Sequence, residues 1–435
     1  IQGCIDGNTR ILTKEFGVTT IQDIVDTSVN IWDGNKWSSC SIVYSGYKKQ
    51  VNIEFTNGQT ITCSPNHKFL TINTQGKKHW REIQSIIGWH RLWIDTQKEA
   101  EHWKCWSKIP DNFIGKAPNA HTESLNNLTD FECGTLIGRL TSDGSINKNK
   151  GINILVAEHE KEILDYLINL VSKIAKPRVS KIERENKLPM YRIDLDHKAL
   201  ANFLIANKCK TNIPEFIWTS KEMLRGYLRG MFDGDGTVNP DGAILTFGKI
   251  HAHIEWAKEI VFALSLFGIR ARINKCADRI NVCIMKKDSP EFADKIGFIS
   301  NIKQNKAENI LFKTKTSSVY GKALAIKEIE YTDKEIRMFD VIDSKTGQFA
   351  ANGFITHNSA SDAMKLAMIE FTEKWGGNVI VLAIHDELVL EVPESMAKLA
   401  KQLLEETMVS VAERLHPGIS AKVSISIGKN WGCKQ

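Results

Sequence analysis

Apolar and polar residues alternate in short runs through the first hundred positions, the period that turns one face of a strand inward and the other to water. After a turn at Cys4–Thr9, Arg10-Ile11-Leu12-Thr13 extends, and Ile31-Trp32-Asp33-Gly34-Asn35-Lys36-Trp37 predicts a hairpin about Asp-Gly. Val51–Phe55 alternates, turns at Asn57-Gly58 and resumes over Gln59–Cys63, directly before Ser64-Pro65-Asn66-His67. Tryptophans then gather at Trp80, Trp89, Trp93, Trp103 and Trp106, and from about residue 105 the period lengthens to that of helices. A pattern occurs twice there, as Leu136-Ile137-Gly138-Arg139-Leu140-Thr141-Ser142-Asp143-Gly144 and Leu228-Arg229-Gly230-Met231-Phe232-Asp233-Gly234-Asp235-Gly236. Alternating positions such as Ala243–Phe247 follow, then an amphipathic helix such as His253–Phe267. The offset (235 − 143 = 92) marks an internal duplication. Strand alternation returns after Glu308 and leads to Arg337-Met338-Phe339-Asp340-Val341.

Past residue 358 the pattern changes again. Ser361-Asp362 opens a helix with Ala363, Leu366, Ala367 and Ile369 on one side, and Val379–Pro393 reads as two strands meeting at His385-Asp386-Glu387. The 435 residues allow two to four domains, and 42% hydrophobic with 25% charged residues is ordinary for globular protein. No apolar run approaches a membrane span, which points to a cytoplasmic protein with no membrane partner. The start at Ile1-Gln2-Gly3 lacks Met, as in a fragment or processed product, and has no signal-peptide pattern. A net charge of +6 permits contact with nucleic acid. Nine cysteines without CxxC spacing predict reduced thiols rather than disulfides or structural zinc.

Two places carry chemistry at opposite ends of the β-type region. In Asn352-Gly353-Phe354-Ile355-Thr356-His357-Asn358-Ser359, the Asn358 amide nitrogen can attack its own carbonyl, closing a succinimide and cutting the following bond. His357 is placed to polarise that carbonyl, and Ser359 offers a hydroxyl nucleophile. At the other end Cys4 follows Gly3, which has no side chain to crowd an attack on its carbonyl.

A β domain that begins with Cys, carries a Thr-x-x-His-like element and ends in His-Asn before Ser resembles an intein. Here the element is Ser64-Pro65-Asn66-His67, with Ser in place of Thr, and Asp340 matches the acid of the family's block upstream of the C-terminal junction. Gly347 stands where the family usually has His, which leaves the proton donor for Asn358 cyclisation unassigned. The resemblance implies an all-β, Hint-type horseshoe that needs no cofactor. Cys4 would attack the Gly3 carbonyl, His67 would donate toward the leaving nitrogen and Ser64 would orient the peptide. Ser359 would then accept the acyl group before Asn358 cyclises.

The duplicated pattern resembles the LAGLIDADG homing endonucleases, α/β proteins often inserted in inteins. It implies two helices in close contact at Gly138 and Gly230, with Asp143 and Asp235 at their C-terminal ends holding Mg²⁺. It also implies saddle-shaped sheets over double-stranded DNA, with a monomer cutting both strands. The first copy departs from the pattern at Arg139, Thr141 and Ser142; Lys275 and Lys303 are left unassigned as phosphate contacts or solvated surface.

The last segment resembles the palm of family A DNA polymerases such as DNA polymerase I. That resemblance makes Asp386 a candidate Mg²⁺ ligand, Glu387 its neighbouring acid and His385 a residue near the primer terminus. The segment of 77 residues (435 − 358) lacks the partner acid, fingers and thumb, so this α+β fragment is not expected to polymerise. The expected organisation is 1–3 before the junction, 4–110 and 313–358 as the two parts of one β domain, 111–312 as an inserted nuclease, and 359–435 as polymerase. An endonuclease with decayed or cleavage-only splicing is the alternative, favoured by Gly347.

Overall fold

The computed structural model describes residues 3–86, 91–92, 100–105, 125–148, 150–184, 187–248, 250–310, 323–342, 344, 346–357, 360–384, 387–415 and 422–430. The expected boundaries at 110/111 and 312/313 fall outside these residues, as do Trp89, Trp93 and Trp106.

Two 19-residue strands, Trp37–Phe55 and Leu324–Ile342, form the spine of a large antiparallel sheet. They pair from Ile326↔Phe55 to Ile342↔Ser41, with three register shifts that bend the ribbon. The hairpins expected at Asp33-Gly34 and Asn57-Gly58 are present, joining Ser28–Trp32 to Trp37–Phe55 and the latter to Thr60–Cys63. Ile5–Asp6 lies between the spine and Thr60–Cys63, through Ile5↔Phe339 and Ile5↔Cys63. At the far end of the chain order, Gln348–Ala351 and Phe354–His357 form a hairpin across Asn352 (φ 47°) and Gly353 (φ 83°). Positive φ at both turn positions suits the right-handed strand twist, and Asn-Gly is the pair that tolerates it. This hairpin pairs with Arg10–Thr13 on one side and with Lys68–Ile72 on the other. The sheet thereby closes on itself, around a core that includes Ile5, Ile42, Ile53, Phe55, Phe69, Phe339 and Phe354.

Between the two parts of this sheet lies a pseudo-twofold pair of units. Each has a helix carrying the repeated pattern, Asp130–Ser142 or Lys221–Gly234, and a four-stranded antiparallel sheet. Thr129 caps the first helix in a capping box with Glu132, and Ser220 accepts from Met223 N at the start of the second. A Cβ at Gly138 would collide with Tyr227 O, and one at Gly230 with Thr135 O. Gly134 and Gly226 repeat the arrangement one turn earlier, against Met223 O and Phe131 O. Four glycines thus bring the two backbones together, and the 92-residue offset maps one pair of contacts onto the other.

The inserted unit and the β domain share a core, although the sequence implies separate domains. One apolar cluster runs from Leu12, Val18, Trp32, Ala350 and Ile355 to Trp218, Phe262 and Phe267. Ile273 N donates to Asn57 O (2.8 Å), and a Cβ on Gly58 would press on Ile273. Arg10 spans the boundary: its guanidinium meets Glu215 and Glu259, each at 2.8 Å, and lies 4.8 Å from the centre of the Trp218 ring. Its backbone also exchanges hydrogen bonds with Asn352, through Asn352 N to Arg10 O (2.9 Å) and Arg10 N to Asn352 Oδ1 (2.8 Å).

The last segment packs helix Ala360–Trp375 on helix Ala397–Leu415 beside a hairpin of Ile380–Ile384 and Glu387–Leu390. Ala367 and Phe371 face the partner helix, but Ile369, expected on the same side, is 56% exposed, as is Val381 at 55%. The eight cysteines among the described residues are all free, as expected.

Removing one partner of a buried ion pair leaves the other charge desolvated, at a cost of about 3 kcal/mol. Arg10→Ala should therefore shift urea unfolding to lower concentration by roughly that amount. Lys49→Ala, which cuts the exposed Lys49–Asp333 pair, should leave the curve unchanged.

Candidate active sites

The first site is where the two ends of the β domain reach the same short segment, Ser64–Phe69. Cys4 N donates to Ser64 Oγ (2.9 Å), and Ser64 N donates back to Cys4 O (2.9 Å). Ser64 Oγ in turn donates to Asn66 Oδ1 (2.9 Å), which fixes the hydroxyl as the acceptor for Cys4. From the other end, Thr356 pairs with Phe69, and its hydroxyl meets His67 Nε2 and donates to Lys68 O (3.1 Å). Gly3 precedes Cys4 with φ 80°, in the left-handed region that a glycine adopts at little cost.

The electrostatics of this site follow from burial. His67 is fully buried, and desolvation pulls its pKa down to about 4. The Gly3 carbonyl against the ring pushes the other way without offsetting it, while His357 adds to the lowering. Burial, assisted by the Asp340 carboxylate, pushes the Cys4 thiol up to about 12, so the resting nucleophile is protonated. Asp340 is itself buried and accepts from Val341 N (2.8 Å). Ser64 holds Cys4 N, while His67 meets Thr356 through Nε2 and its buried Nδ1 has no hydrogen-bond partner.

At the C-terminal junction, His357 pairs with Gln348 and packs edge-on against Trp80, with ring centres 4.9 Å apart. Gly347 stands immediately before that strand with φ 68°. A turn bent this way disfavours most residues other than glycine, which gives the departure from the usual His a local backbone reason. Asn358 and Ser359 lie outside the described residues.

The second site lies at the C-terminal ends of the motif helices. Asp143 and Asp235 cap them, accepting no turn of helix beyond, and each backbone N–H bonds four residues back, to Arg139 O and Met231 O. Burial and the neighbouring Asp143 carboxylate push Asp235 up to about 6. Two lysines that the sequence reading left out or unassigned frame this acidic centre. Lys210 Nζ donates to Thr141 O (2.8 Å) and Gly144 O (2.6 Å); Lys303 Nζ donates to Phe232 O (3.5 Å) and to Asp233 O. Burial depresses both amines, and the acids of the centre oppose that. The signal was in the spacing: each lysine follows its acid by nearly the same distance (210 − 143 = 67; 303 − 235 = 68). Arg139, in the first copy only, is buried and pairs with Asp143 Oδ2 at 2.9 Å. Lys275 is exposed at the end of strand Ala271–Lys275.

Oxygen donors of opposite helices, close enough for one carboxylate to raise another, suit a hard divalent cation. Among the described residues no group of three or more His, Cys, Asp or Glu converges, so the centre rests on this pair and neighbouring carbonyls. In the last segment, Asp386 and His385 fall outside the described residues, between Ile384 and Glu387, which are paired across the hairpin.

Three kinds of known protein match parts of this chain. The model of DNA polymerase family A matches residues 255–433, a span that begins within helix Ile250–Ser265. The large subunit of ribonucleoside-diphosphate reductase from Invertebrate iridescent virus 6 is 25% identical over 278 residues, 63% of this chain and 26% of that protein. The RNA polymerase subunit Rpo1C of Methanocaldococcus jannaschii is 25% identical over 287 residues, 62% of this chain and 33% of its own length. The thermostable DNA polymerase I of Thermus filiformis is 38% identical over 76 residues, 17% of this chain and 9% of the polymerase. The chain therefore spans at most a third of these relatives. Among solved structures, the homing endonuclease I-WcaI bound to its DNA recognition sequence has 19% identity and a TM-score of 0.32, covering 47% of this chain and 98% of its own. A Ssp DnaB mini-intein variant has 11% identity and a TM-score of 0.26, covering 82% of this chain and 99% of its own. No helix among the described residues is long and apolar enough to cross a membrane.

A neutral buried His67 makes a test in solution. The unfolded ring takes up a proton near its ordinary pKa of 6.5, whereas the folded ring resists until about 4. Stability attributable to His67 is therefore complete above that window and declines as pH falls through it, by about 3 kcal/mol in total. His67→Gln should flatten this part of the stability–pH curve, measured by urea unfolding at a series of pH values.

Proposed function

We propose that residues 4–358 are a self-splicing intein with an embedded homing endonuclease, interrupting a family A DNA polymerase. The observation that carries the reading is that Cys4 and the strand leading to Asn358 are both anchored on Ser64–Phe69. Cys4 and Thr356, 352 residues apart in sequence (356 − 4), thus meet one polar cluster. The comparisons support it from another side: proteins as unlike as a ribonucleotide reductase and an RNA polymerase subunit match over 62–63% of this chain while giving only 26–33% of themselves. That is the pattern of one intervening element in unrelated hosts. The 76-residue match to a DNA polymerase I is comparable to the 77 residues after Asn358.

The chemistry runs through four exchanges. Cys4 loses its thiol proton to Asp340 as sulfur attacks the Gly3 carbonyl; the C–N bond breaks, the nitrogen takes up a proton, and a thioester replaces the amide. His67 would donate toward the leaving nitrogen, and Ser64 holds that nitrogen in line. The Ser359 hydroxyl then displaces the thiol, giving a branched ester. The Asn358 amide nitrogen closes on its own carbonyl, expelling the Ser359 amine and releasing residues 4–358. That amine finally displaces the ester oxygen, leaving a Gly3–Ser359 peptide. His357 is the nearest candidate to polarise the Asn358 carbonyl in the absence of a His at Gly347.

In the nuclease unit, Asp143 and Asp235 would hold Mg²⁺, which supplies an activated water and charge stabilisation at a phosphodiester. Lys210 and Lys303 place a positive charge beside each acid. The solvent-facing register of the two sheets aligns Arg178, Ser180 and Arg192 in one and Arg272, Asn274 and Asn281 in the other, side chains able to reach phosphates and base edges of double-stranded DNA. In the host segment, Asp386 would be a metal ligand and Glu387 its neighbour once the remainder of a polymerase is present. We place the protein in the cytoplasm and read it as a monomer.

An intact-mass time course of the purified chain under reducing conditions tests the splicing claim. The expected products are 4–358 and a ligated 1–3/359–435, absent from Cys4→Ala and Asn358→Ala. Ser64→Ala should slow the first step by about tenfold, and Ser64→Thr should restore it. Release of 359–435 without ligation would favour the cleavage-only alternative raised by Gly347. An unchanged mass throughout would sink splicing for this chain.

A further inference from the structure

The two acidic halves of the nuclease unit are not equivalent, and the difference is one buried side chain. Arg139 and Met231 occupy matching places in the repeated pattern (231 − 139 = 92). Both are buried between the motif helices, at 1% and 0% exposure. Met231 is an ordinary packing residue of the apolar core, whereas Arg139 brings a buried guanidinium among the charged groups Asp143, Asp233, Asp235 and Lys303. It reaches Asp143 Oδ2 at 2.9 Å, one turn further along its own helix. Its Nε has no hydrogen-bond partner, so the group is not held there by a saturated network of its own. A buried cation is retained in such a place only where an anion balances it.

Asp235 has no comparable partner on its own helix, since the matching residue is Met231. The positive groups that reach it from other elements are Lys210, Arg139 and Lys303, and Asp143 opposes them. Lys210 and Lys303 donate to main-chain carbonyls rather than to either acid. Only Asp143 therefore enters the reaction with a carboxylate oxygen already bonded to a cation that belongs to the protein.

We propose that Arg139 is a resident cation that competes with divalent metal for Asp143, so that the two halves load unequally: Asp235 takes a metal ion first, and Asp143 takes one only when the guanidinium is displaced. This rests on the reading of Asp143 and Asp235 as the metal-binding acids. Arg139 is a positioning residue, acting through Asp143. Unequal loading makes the two strand cuts sequential, with a nicked duplex as the intermediate.

Counting bound ions tests the proposal without reference to cleavage. Mn²⁺ binding to the full chain, carrying Cys4→Ala and Asn358→Ala to prevent self-processing, is followed by electron paramagnetic resonance of the free ion. One tight ion and a second bound about tenfold or more weakly are expected. Arg139→Met should bring the two affinities together, and Arg139→Lys should keep them apart. Asp143→Asn should remove the weak ion and spare the tight one, a comparison that needs no change inside the helix interface. Two equal ions in the parent chain would overturn the proposal, as would an unaltered gap in Arg139→Met that retains the parent's circular dichroism. Those outcomes leave the metal-centre reading intact; that reading itself fails if no tight ion binds or if Asp235→Asn does not abolish it.

Discussion

The proposed splicing needs segments far apart in sequence to be held together, and here one hydroxyl and one imidazole do most of the holding. Ser64 accepts the amide hydrogen of Cys4, and His67 meets Thr356 from the returning strand. The rest of the β domain serves that convergence. The long ribbon of Trp37–Phe55 and Leu324–Ile342 carries Asp340 to Cys4, and the Asn352-Gly353 turn sends Phe354–His357 back alongside Lys68–Ile72. Burial then sets the resting state of the chemistry: a thiol that keeps its proton and an imidazole that stays neutral. Both groups rest in their uncharged forms, which suits a junction that must not react before the chain has folded.

The nuclease unit solves a different problem by repetition. Two acids can stand together only if their helices approach closely, and four glycines permit that approach. The like charges that result cost stability, visible in the raised Asp235, and suit the site to a cation. In one half, the protein has supplied part of that charge itself through Arg139.

Strand periods were enough to find the hairpins at Asp33-Gly34 and Asn57-Gly58, because each is a local event with its own turn residues. The duplicated motif was equally open to inspection, since it repeats at a constant offset. The carbonyls that hold the lysines around the acids and the contact between His67 and Thr356 were not, because each joins residues distant in sequence. Ile369 shows the same limit from another direction. Helical spacing identifies an apolar stripe, but which part of it is covered depends on the neighbour, and here helix Ala397–Leu415 covers Ala367 and Phe371 instead. The Gly347 departure became intelligible only with its backbone angle in hand.

Arg10 and the apolar cluster around Trp218 tie the two working parts into one folding unit. If the proposed DNA cutting were no longer needed, the inserted unit could not simply be discarded. Its excision would uncover Leu12, Val18, Ala350 and Ile355, and strip Arg10 of its counter-charges at the turn that leads to the junction. Point changes at the acids would silence cutting without that damage. The architecture therefore favours erosion of the nuclease in place over its deletion, and an intact helix pair with mismatched motifs is what such a history leaves behind.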